Sequence, residues 1–276
     1  MFATPETLRR LEQLHVRAWP ALESARVEGW LWRWSGGASQ RANSVSTVDF
    51  AGQDLDAAID RVEARYRAKS APSRFHTFDL SRPDGLAARL FARGYQPRET
   101  TVTMLTTAET PMLATAESPM LATAASTRPP ADVEIAAEPS AEWLDIYMRT
   151  ITESRRLTNR EILRNIPDPR AFFTVRRDER AISSALCVAH RGHAVAECVA
   201  TPASARGQRG AESAMRAVLA WAASLGAQTV GLQVVADNAP ALALYRRLGF
   251  EPVCENRFWA KPLAPTEKPV WRANAS

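Results

Sequence analysis

The sequence predicts a mixed α/β protein made of two related halves. Apolar residues alternate as in strands in some segments and recur at helical spacing in others, and the two kinds of segment follow one another along the chain. The 276 residues, 46% of them hydrophobic, are enough for two domains. Residues 90–97 also parallel residues 245–252, which sets Gly94 on Gly249 at an offset of 155 residues.

The composition argues against a membrane protein, a secreted protein and a metalloprotein. No stretch approaches the ~18 uninterrupted apolar residues of a membrane span, and the first residues lack a secretory core, so we expect a cytoplasmic protein without a membrane partner. Cys187, Cys198 and Cys254 are odd in number and lack metal-ligand spacing, so we expect neither a disulfide framework nor a metal. A monomer and a homodimer both remain open.

Arginine dominates the charge. Of 35 basic residues only Lys69, Lys261 and Lys268 are lysines, and the net charge is +5. Such a surface is either simply solvated or attractive to anionic ligands such as phosphates. Because no basic run is interleaved with aromatic residues, we expect no nucleic-acid partner.

Residues 1–106 are predicted to form the first domain. The helical spacing of leucines predicts a helix at 5–18, and the alternating tryptophans at 30–34 predict a strand. These tryptophans more often pack in a core than form a ligand cage. The elements predicted next are a strand at 40–50, a helix at 55–69, a strand at 75–80, a helix at 85–92 and a strand at 100–105.

Residues 107–131 are predicted to be a linker. AETPMLAT at 108–115 is followed by AESPMLAT at 116–123, an eight-residue repeat rich in Ala, Thr and Pro. This composition, without a long apolar period, is typical of linkers. A local duplication explains the repeat, and a partner-docking motif is the alternative.

Residues 132–263 are predicted to form the second domain, with a tail at 264–276. Ser140 is the expected N-cap of its first helix, and Gly249 the expected end of its last. The predicted strands are 133–136, 171–175, 182–188, 194–200, 229–235 and 251–259, and the predicted helices are 140–150, 159–165, 210–225 and 240–248.

The turn at 206–211 combines two arginines and two glycines just before a helix. A helix N-terminus exposes unpaired N–H groups and the positive end of the helix dipole. Arg206 and Arg209 add charge that pairs with phosphate. The turn is therefore a candidate phosphate site, and a surface turn with solvated arginines is the alternative.

Residues 238–250 read Asn-x-x-Ala-x-x-Leu-Tyr-x-x-x-Gly-Phe, which resembles the second cofactor motif of the GNAT superfamily of acetyl-CoA-dependent N-acetyltransferases. The turn at 206–211 resembles the family's pyrophosphate-binding motif R/Q-x-x-G-x-G/A. The resemblance covers residues 133–263. The first half lacks both motifs, so the resemblance implies two tandem GNAT-like domains, the first of them degenerate, with acetyl-CoA as co-substrate.

One position departs from the family pattern. Arg209 stands where the family usually has glycine, so it must adopt a backbone conformation that a residue with a Cβ can reach. If the motif R/Q-x-x-G-x-G/A is instead aligned one residue later, Gly210 becomes that glycine. Gly207 then stands at the first position of the motif and Glu212 at the last, and neither fits. The first frame keeps the usual distance from the strand and the small Ala211.

The resemblance implies a role for each site residue. Backbone groups around Val199 and Thr201 would bind the pantetheine arm, and the N–H groups of 206–211 would bind the pyrophosphate. Asn238 would support the arm or cap its helix, and Tyr245 would be the general acid or a packed aromatic. The residues implied to bind acetyl-CoA are Val199, Thr201, Arg206, Gly207, Gln208, Arg209, Gly210, Ala211, Asn238, Ala241 and Tyr245.

The general base and the acceptor pocket are less constrained. His193 and Glu197 lie on one face of a predicted strand that often carries the base in the family. Glu197 is equally suited to a structural ion pair, and His193 to a hairpin loop. Arg41 and Asn43 are candidates for the acceptor pocket between the halves or for a structural role.

These observations predict an N-acetyltransferase that transfers acetyl directly to the primary amine of a small molecule. Direct transfer is expected because no cysteine stands in an activated context. A non-catalytic CoA-binding module is one alternative, because Arg209 interrupts the loop pattern. A protein-lysine acetyltransferase, which needs a wide acceptor groove, is another.

Overall fold

Eleven strands form one mixed sheet in the computed structural model, which describes residues 3–108, 130 and 132–263. The elements of the first half are α1 (Pro5–Ala18), β1 (Glu23–Val27), β2 (Trp30–Trp34), β3 (Val45–Ser46), α2 (Leu55–Ala68), β4 (Ser73–Phe78), α3 (Leu86–Ala92) and β5 (Gln96–Thr107). Those of the second half are β6 (Val133–Ala136), α4 (Ala141–Thr150), α5 (Glu153–Arg164), β7 (Arg170–Arg177), β8 (Arg180–His190), β9 (His193–Ala200), α6 (Gly210–Ser224), β10 (Thr229–Val235), α7 (Ala239–Arg247) and β11 (Glu251–Lys261).

The last strand of each half lies beside strands of the other half. The order across the sheet is β1-β2-β3-β4-β11-β5-β10-β9-β8-β7-β6. β5 pairs antiparallel with β10, with Met104 opposite Leu232, and β11 pairs antiparallel with β4, with Trp259 opposite Phe75. β5 and β11 also pair with each other. The two halves therefore share one hydrogen-bonded sheet.

The offset of 155 residues extends well beyond the turns at Gly94 and Gly249. At this offset α2, β4, α3 and β5 coincide with α6, β10, α7 and β11, to within two residues at each end. The prediction of a repeated element order is thus confirmed over the later part of each half. Positions in the two halves can be compared directly.

Local patterns predicted most of the elements. The predicted bounds 5–18, 30–34, 133–136 and 229–235 match α1, β2, β6 and β10. The strand predicted at 40–50 is wrong, because residues 41–43 form a short 3-10 turn and β3 keeps only two residues. Strand β1 was not predicted, and α5 begins at Glu153 rather than near residue 159.

Parts of the predicted organisation lie outside the described residues. These parts are the tail at 264–276 and all of the linker repeat beyond residue 108. The division into domains stays a prediction. Among the helices that the structure describes, none is both long and apolar enough to cross a bilayer.

Helices cover both faces of the sheet around β9 and β10. On one face Met215 of α6 packs with Leu232 of β10, and on the other Leu11 and Leu14 of α1 pack with Val195 of β9. A helix of the first half thus covers a strand of the second half. Trp30 and Trp32 are almost fully buried, which is the core packing predicted for them. The Trp32 ring contacts Tyr66 of α2 at a tilt, and the Trp30 ring packs edge-to-face with Phe75 of β4.

Candidate functional site

β9 and β10 separate part-way along their length. They pair in parallel from His193 opposite Thr229 to Ala196 opposite Leu232, and pairing ends there. On its other side β9 has a bulge, because Cys198 and Val199 together stand opposite Ala185 of β8. Cys198 takes a left-handed φ of +52° at this bulge. Val199 therefore lies in the bulge, beyond the last pair with β10, and lines the opening.

A cavity of ≈ 360 Å³ fills this opening. Of the residues predicted to form the site, it is lined by Arg41, Glu197, Val199, Asn238, Ala241 and Tyr245. The first half also contributes Trp19, Ser39, Gln40, Glu99 and Thr101 to the wall. The cavity is thus built from both halves.

The turn before α6 exposes an uncapped helix N-terminus. Arg209 is the N-cap residue with φ 56° and ψ 21°, and its side chain makes no capping hydrogen bond. The first N–H groups of α6 have no partner within the helix. Arg206, Gly207, Gln208 and Arg209 are all exposed. Arg209 thus adopts a left-handed conformation, which glycine reaches without strain, and it adds a positive charge there.

Gly210 lets α6 approach the sheet closely. A Cβ at this position would lie 2.8 Å from the Cβ of Ser183 on β8, closer than real contacts. Ala211, the next residue, is half-buried. Thr201 is not in the wall of the cavity; its hydroxyl lies 2.8 Å from the Ser183 hydroxyl, behind the turn.

The first half differs at each corresponding position. Asp54, 155 residues before Arg209, caps α2, and its Oδ1 accepts a hydrogen bond from the Ala57 N–H at 3.1 Å. Thr47, the residue after β3, ties this strand end to β4, because its hydroxyl donates to the His76 carbonyl at 2.8 Å. Leu90, a fully buried apolar residue, stands where the second half has Tyr245. The first half therefore carries a carboxylate at the helix N-terminus and a closed strand end.

Tyr245 presents a protonated phenol to the cavity. It is 7% exposed. Burial, and then the negative charge of Glu197, raise the pKa of Tyr245 to about 12. The hydroxyl therefore stays protonated at neutral pH and can donate a proton but not accept one as a base. Asn238 caps α7, with its Oδ1 accepting from the Ala241 N–H at 3.3 Å, so the capping role considered for it is present.

Glu197 is a buried carboxylate held by two residues of the first half. Its Oε1 lies 2.7 Å from Nη1 of Arg41 and 3.0 Å from Nδ1 of His15. Burial alone would raise the pKa of Glu197, but the charge of Arg41 and the His15 hydrogen bond outweigh it and hold this pKa below its usual value. The structural ion pair considered for Glu197 exists, and the carboxylate also lines the cavity.

Of the residues predicted for the general base and the acceptor pocket, two lie away from the cavity. His193 is at the other end of β9, where its Nδ1 is 2.7 Å from the Thr229 hydroxyl and it lines a different cavity. Asn43 is fully buried, and its Oδ1 accepts from the N–H groups of Ser35 and Gly37 at 2.7 and 2.8 Å. The structure therefore places His193 apart from Glu197 and Tyr245, and it places the Asn43 side chain inside a loop that it bonds.

Sequence reasoning missed His15 and Trp19. Both lie on α1 or just after it, on the helix face that packs against β9, and both are buried. A histidine on the apolar face of a helix was the available signal, since such a group needs a buried partner. The partner, Glu197, is 182 residues away in the sequence.

Similar proteins are N-acetyltransferases and GNAT structures. The uncharacterized N-acetyltransferase YobR of Bacillus subtilis (strain 168) is 25% identical over 260 residues, which cover 93% of this chain and 99% of YobR. A GCN5-related N-acetyltransferase from Kribbella flavida has a TM-score of 0.63 at 16% identity, over 93% of this chain and 96% of that one. A tandem GNAT protein from the clavulanic acid biosynthesis pathway has a TM-score of 0.62 at 12% identity, over 97% and 91%.

These structural neighbours confirm the mixed α/β fold and its tandem GNAT form. The enzyme class rests on the relatives named as acetyltransferases, and the chain is an acyltransferase of the GNAT kind. The family described as "Probable histone acetyltransferase Rv0428c C-terminal" matches residues 5–259, which include both halves. The chain belongs to this family of N-acetyltransferases.

Proposed function

We propose that the second half binds acetyl-CoA between β9 and β10 and that the chain transfers its acetyl group to a primary amine of a small molecule. The observation that carries the proposal is the difference between the halves at matched positions. Among the described residues, only those of the second half combine an uncapped, arginine-flanked helix N-terminus with an open strand end and a buried tyrosine.

The residues at these positions fit acetyl-CoA. A diphosphate needs several N–H donors and positive charge, which the start of α6 and Arg206 and Arg209 supply. The arm needs backbone partners in a narrow opening, which Val199 supplies beside the apolar Ala241. When bound, acetyl-CoA provides an acetyl thioester. Tyr245 holds a proton at its hydroxyl for the departing thiolate, because its pKa is about 12.

A small acceptor fits the shape of the cavity. Its volume of ≈ 360 Å³ is in the range of small-molecule sites, and residues of the first half close one side. Trp19 and Arg41 stand on that side, with the guanidinium of Arg41 over the Trp19 ring at 5.3 Å. A lysine on a folded protein would need an open groove in place of this wall.

A protein lysine is the second candidate acceptor. The specific observation in its favour is the family description, which names a probable histone acetyltransferase. A CoA-binding module without catalysis is disfavoured by the protonated Tyr245 in the cavity.

The test is release of CoA thiol from acetyl-CoA by the purified chain, with a panel of small primary amines and with histone peptides. We expect acetyl-CoA to bind in calorimetric titration and one or more small amines to release thiol. If only the histone peptides release thiol, the acceptor is a protein lysine and not a small amine. Binding without turnover of either class would support the non-catalytic module.

The matched control for Tyr245→Phe is Tyr95→Phe. Tyr95 is also a buried tyrosine, but it lies in the first half and bonds to Glu63 through its hydroxyl at 3.2 Å. Loss of turnover in Tyr245→Phe alone, with acetyl-CoA binding retained, would support the acid role. Equal loss in both variants would point to a general effect on the fold.

A further inference from the structure

We propose that His15 and Arg41, both from the first half, are positioning residues that hold Glu197 by one oxygen and leave the other to bind the ammonium group of the acceptor. The inference rests on the proposed function, because an amine acceptor gives the free oxygen its purpose. It also gives the half without cofactor motifs a part in recognising the acceptor.

The hydrogen bonds divide the two carboxylate oxygens. Nδ1 of His15 and Nη1 of Arg41 both contact Oε1, at 3.0 and 2.7 Å. Oε2 has no hydrogen-bond partner among the described residues. Unlike several other unpartnered polar atoms, it is not fully shielded from solvent. Because Glu197 lines the cavity, Oε2 is the oxygen open to a ligand.

The two contacts restrain Glu197 from separate elements. His15 reaches it from α1, and Arg41 reaches it from the 3-10 turn that follows β2. Arg41 is itself held over the ring of Trp19. Because Oε1 is held from two directions, the carboxylate cannot turn to bring Oε2 to another donor of the protein. Oε2 therefore stays available to a donor on a ligand.

The charge on Glu197 depends on these partners. The titratable groups that act on it are His15 on α1, Arg41, Cys198 on β9, Cys187 on β8 and Tyr245 on α7. Burial raises the pKa of both cysteines and of Tyr245, so these three remain neutral. Arg41 is the permanent cation of the group. Without it, burial would raise the pKa of Glu197 and favour the neutral acid, which cannot attract an ammonium.

The consequence is a pH dependence that separates positioning from direct binding. An Arg41→Gln variant should bind an ammonium poorly where Glu197 is protonated and recover where it is ionised. A residue that touched the acceptor itself would show the loss at every pH. We expect the titration midpoint of Glu197 to rise in Arg41→Gln, because burial then acts without the opposing charge of Arg41.

The test follows the carboxyl ¹³C signal of Glu197 in protein labelled at glutamate, with the signal assigned by its absence in Glu197→Gln. The probes are n-butylammonium chloride and, as its neutral counterpart, n-butanol. In the wild type only butylammonium should shift the signal. In Arg41→Gln the affinity for butylammonium should fall at least tenfold at pH 5.5 and return to within threefold at pH 8.5.

Three further variants keep the test specific. His15→Leu removes one of the two contacts to Oε1 and should weaken butylammonium binding. In His15→Asn the amide nitrogen can replace Nδ1, so the affinity for butylammonium should be close to that of the wild type. Arg61→Gln removes an arginine of the first half whose ion pair with Glu28 lies on the surface, and it should change nothing.

An unchanged titration of Glu197 in Arg41→Gln would overturn the proposal, as would a loss of binding equal at both pH values. These measurements need no turnover. Ammonium binding of the expected kind without acetyl transfer would therefore refute the proposed function alone, and acetyl transfer with an unchanged Glu197 titration would refute only the positioning role.

Discussion

Replacing Arg209 by Asp should give the proposed phosphate-binding turn at 206–211 the carboxylate that the first half carries at the matched position. Asp54 occupies the matched position at the start of α2. Arg209 has φ 56°, a left-handed conformation that Asp tolerates better than most residues, so the turn should survive the change. One charge-assisted contact to phosphate is worth about 1.5–3 kcal/mol, and the introduced carboxylate adds repulsion at the same site. Together we expect a loss of about 3 kcal/mol, roughly 100-fold in Kd.

Calorimetric titration with acetyl-CoA measures this loss, and Arg209→Gly separates charge from conformation. Glycine also accepts the left-handed φ, but it carries no charge, so it should lose only the contact, about tenfold in Kd. The difference between the two variants should shrink at high salt, because the site is exposed and screened. An Arg209→Asp protein that binds acetyl-CoA within threefold of wild type would refute the assignment of this turn to the phosphates.

Three further variants test the roles of Tyr245, Asp54 and Glu197. Tyr245→Phe should lower kcat by about 10²–10⁴ with acetyl-CoA affinity unchanged, measured by thiol release and titration. Asp54→Ala should cost about 1 kcal/mol and lower Tm by roughly 2 °C without affecting acetyl-CoA binding, because it removes only a helix cap. Since the folded pKa of Glu197 lies below its usual 4.5, its stabilisation is present above that value and lost as the pH falls through the folded pKa. Urea unfolding between about pH 6 and pH 3 should then show a steeper loss in wild type than in Glu197→Gln.

Local pattern predicted the parts of the fold whose cause is local. The leucine spacing of α1 and the alternation in β2 match the structure because one buried face repeats along each element. The segment after β2 failed because Asn43 bonds through its side chain to the N–H groups of Ser35 and Gly37, and such bonds leave no periodic trace. The exchange of β5 and β11 could not be predicted either, since strand order depends on partners distant in sequence.

The residues of the candidate site also differ in whether a local sequence pattern could indicate them. Arg209, Asn238 and Tyr245 were found because each lies in a short motif at fixed spacing. Glu197 and His193 share a face of β9, but four residues of strand separate them by about 13 Å, so only one can reach the cavity. The partners of Glu197 come from elements 156 and 182 residues away, which no local pattern indicates.

The shared sheet gives the first half a structural role although it lacks the cofactor motifs. In the sheet β11 lies between β4 and β5, both strands of the first half, and β10 pairs with β5 on one side. A chain cut to residues 132–263 would leave β11 with no partner strand and β10 with an open edge, and it would also lose α1 from the apolar surface of β9. We therefore expect this fragment to aggregate or to unfold without a cooperative transition by circular dichroism, whereas the full chain unfolds cooperatively. A fragment that folded and bound acetyl-CoA as tightly as the full chain would show that the first half serves only the acceptor side.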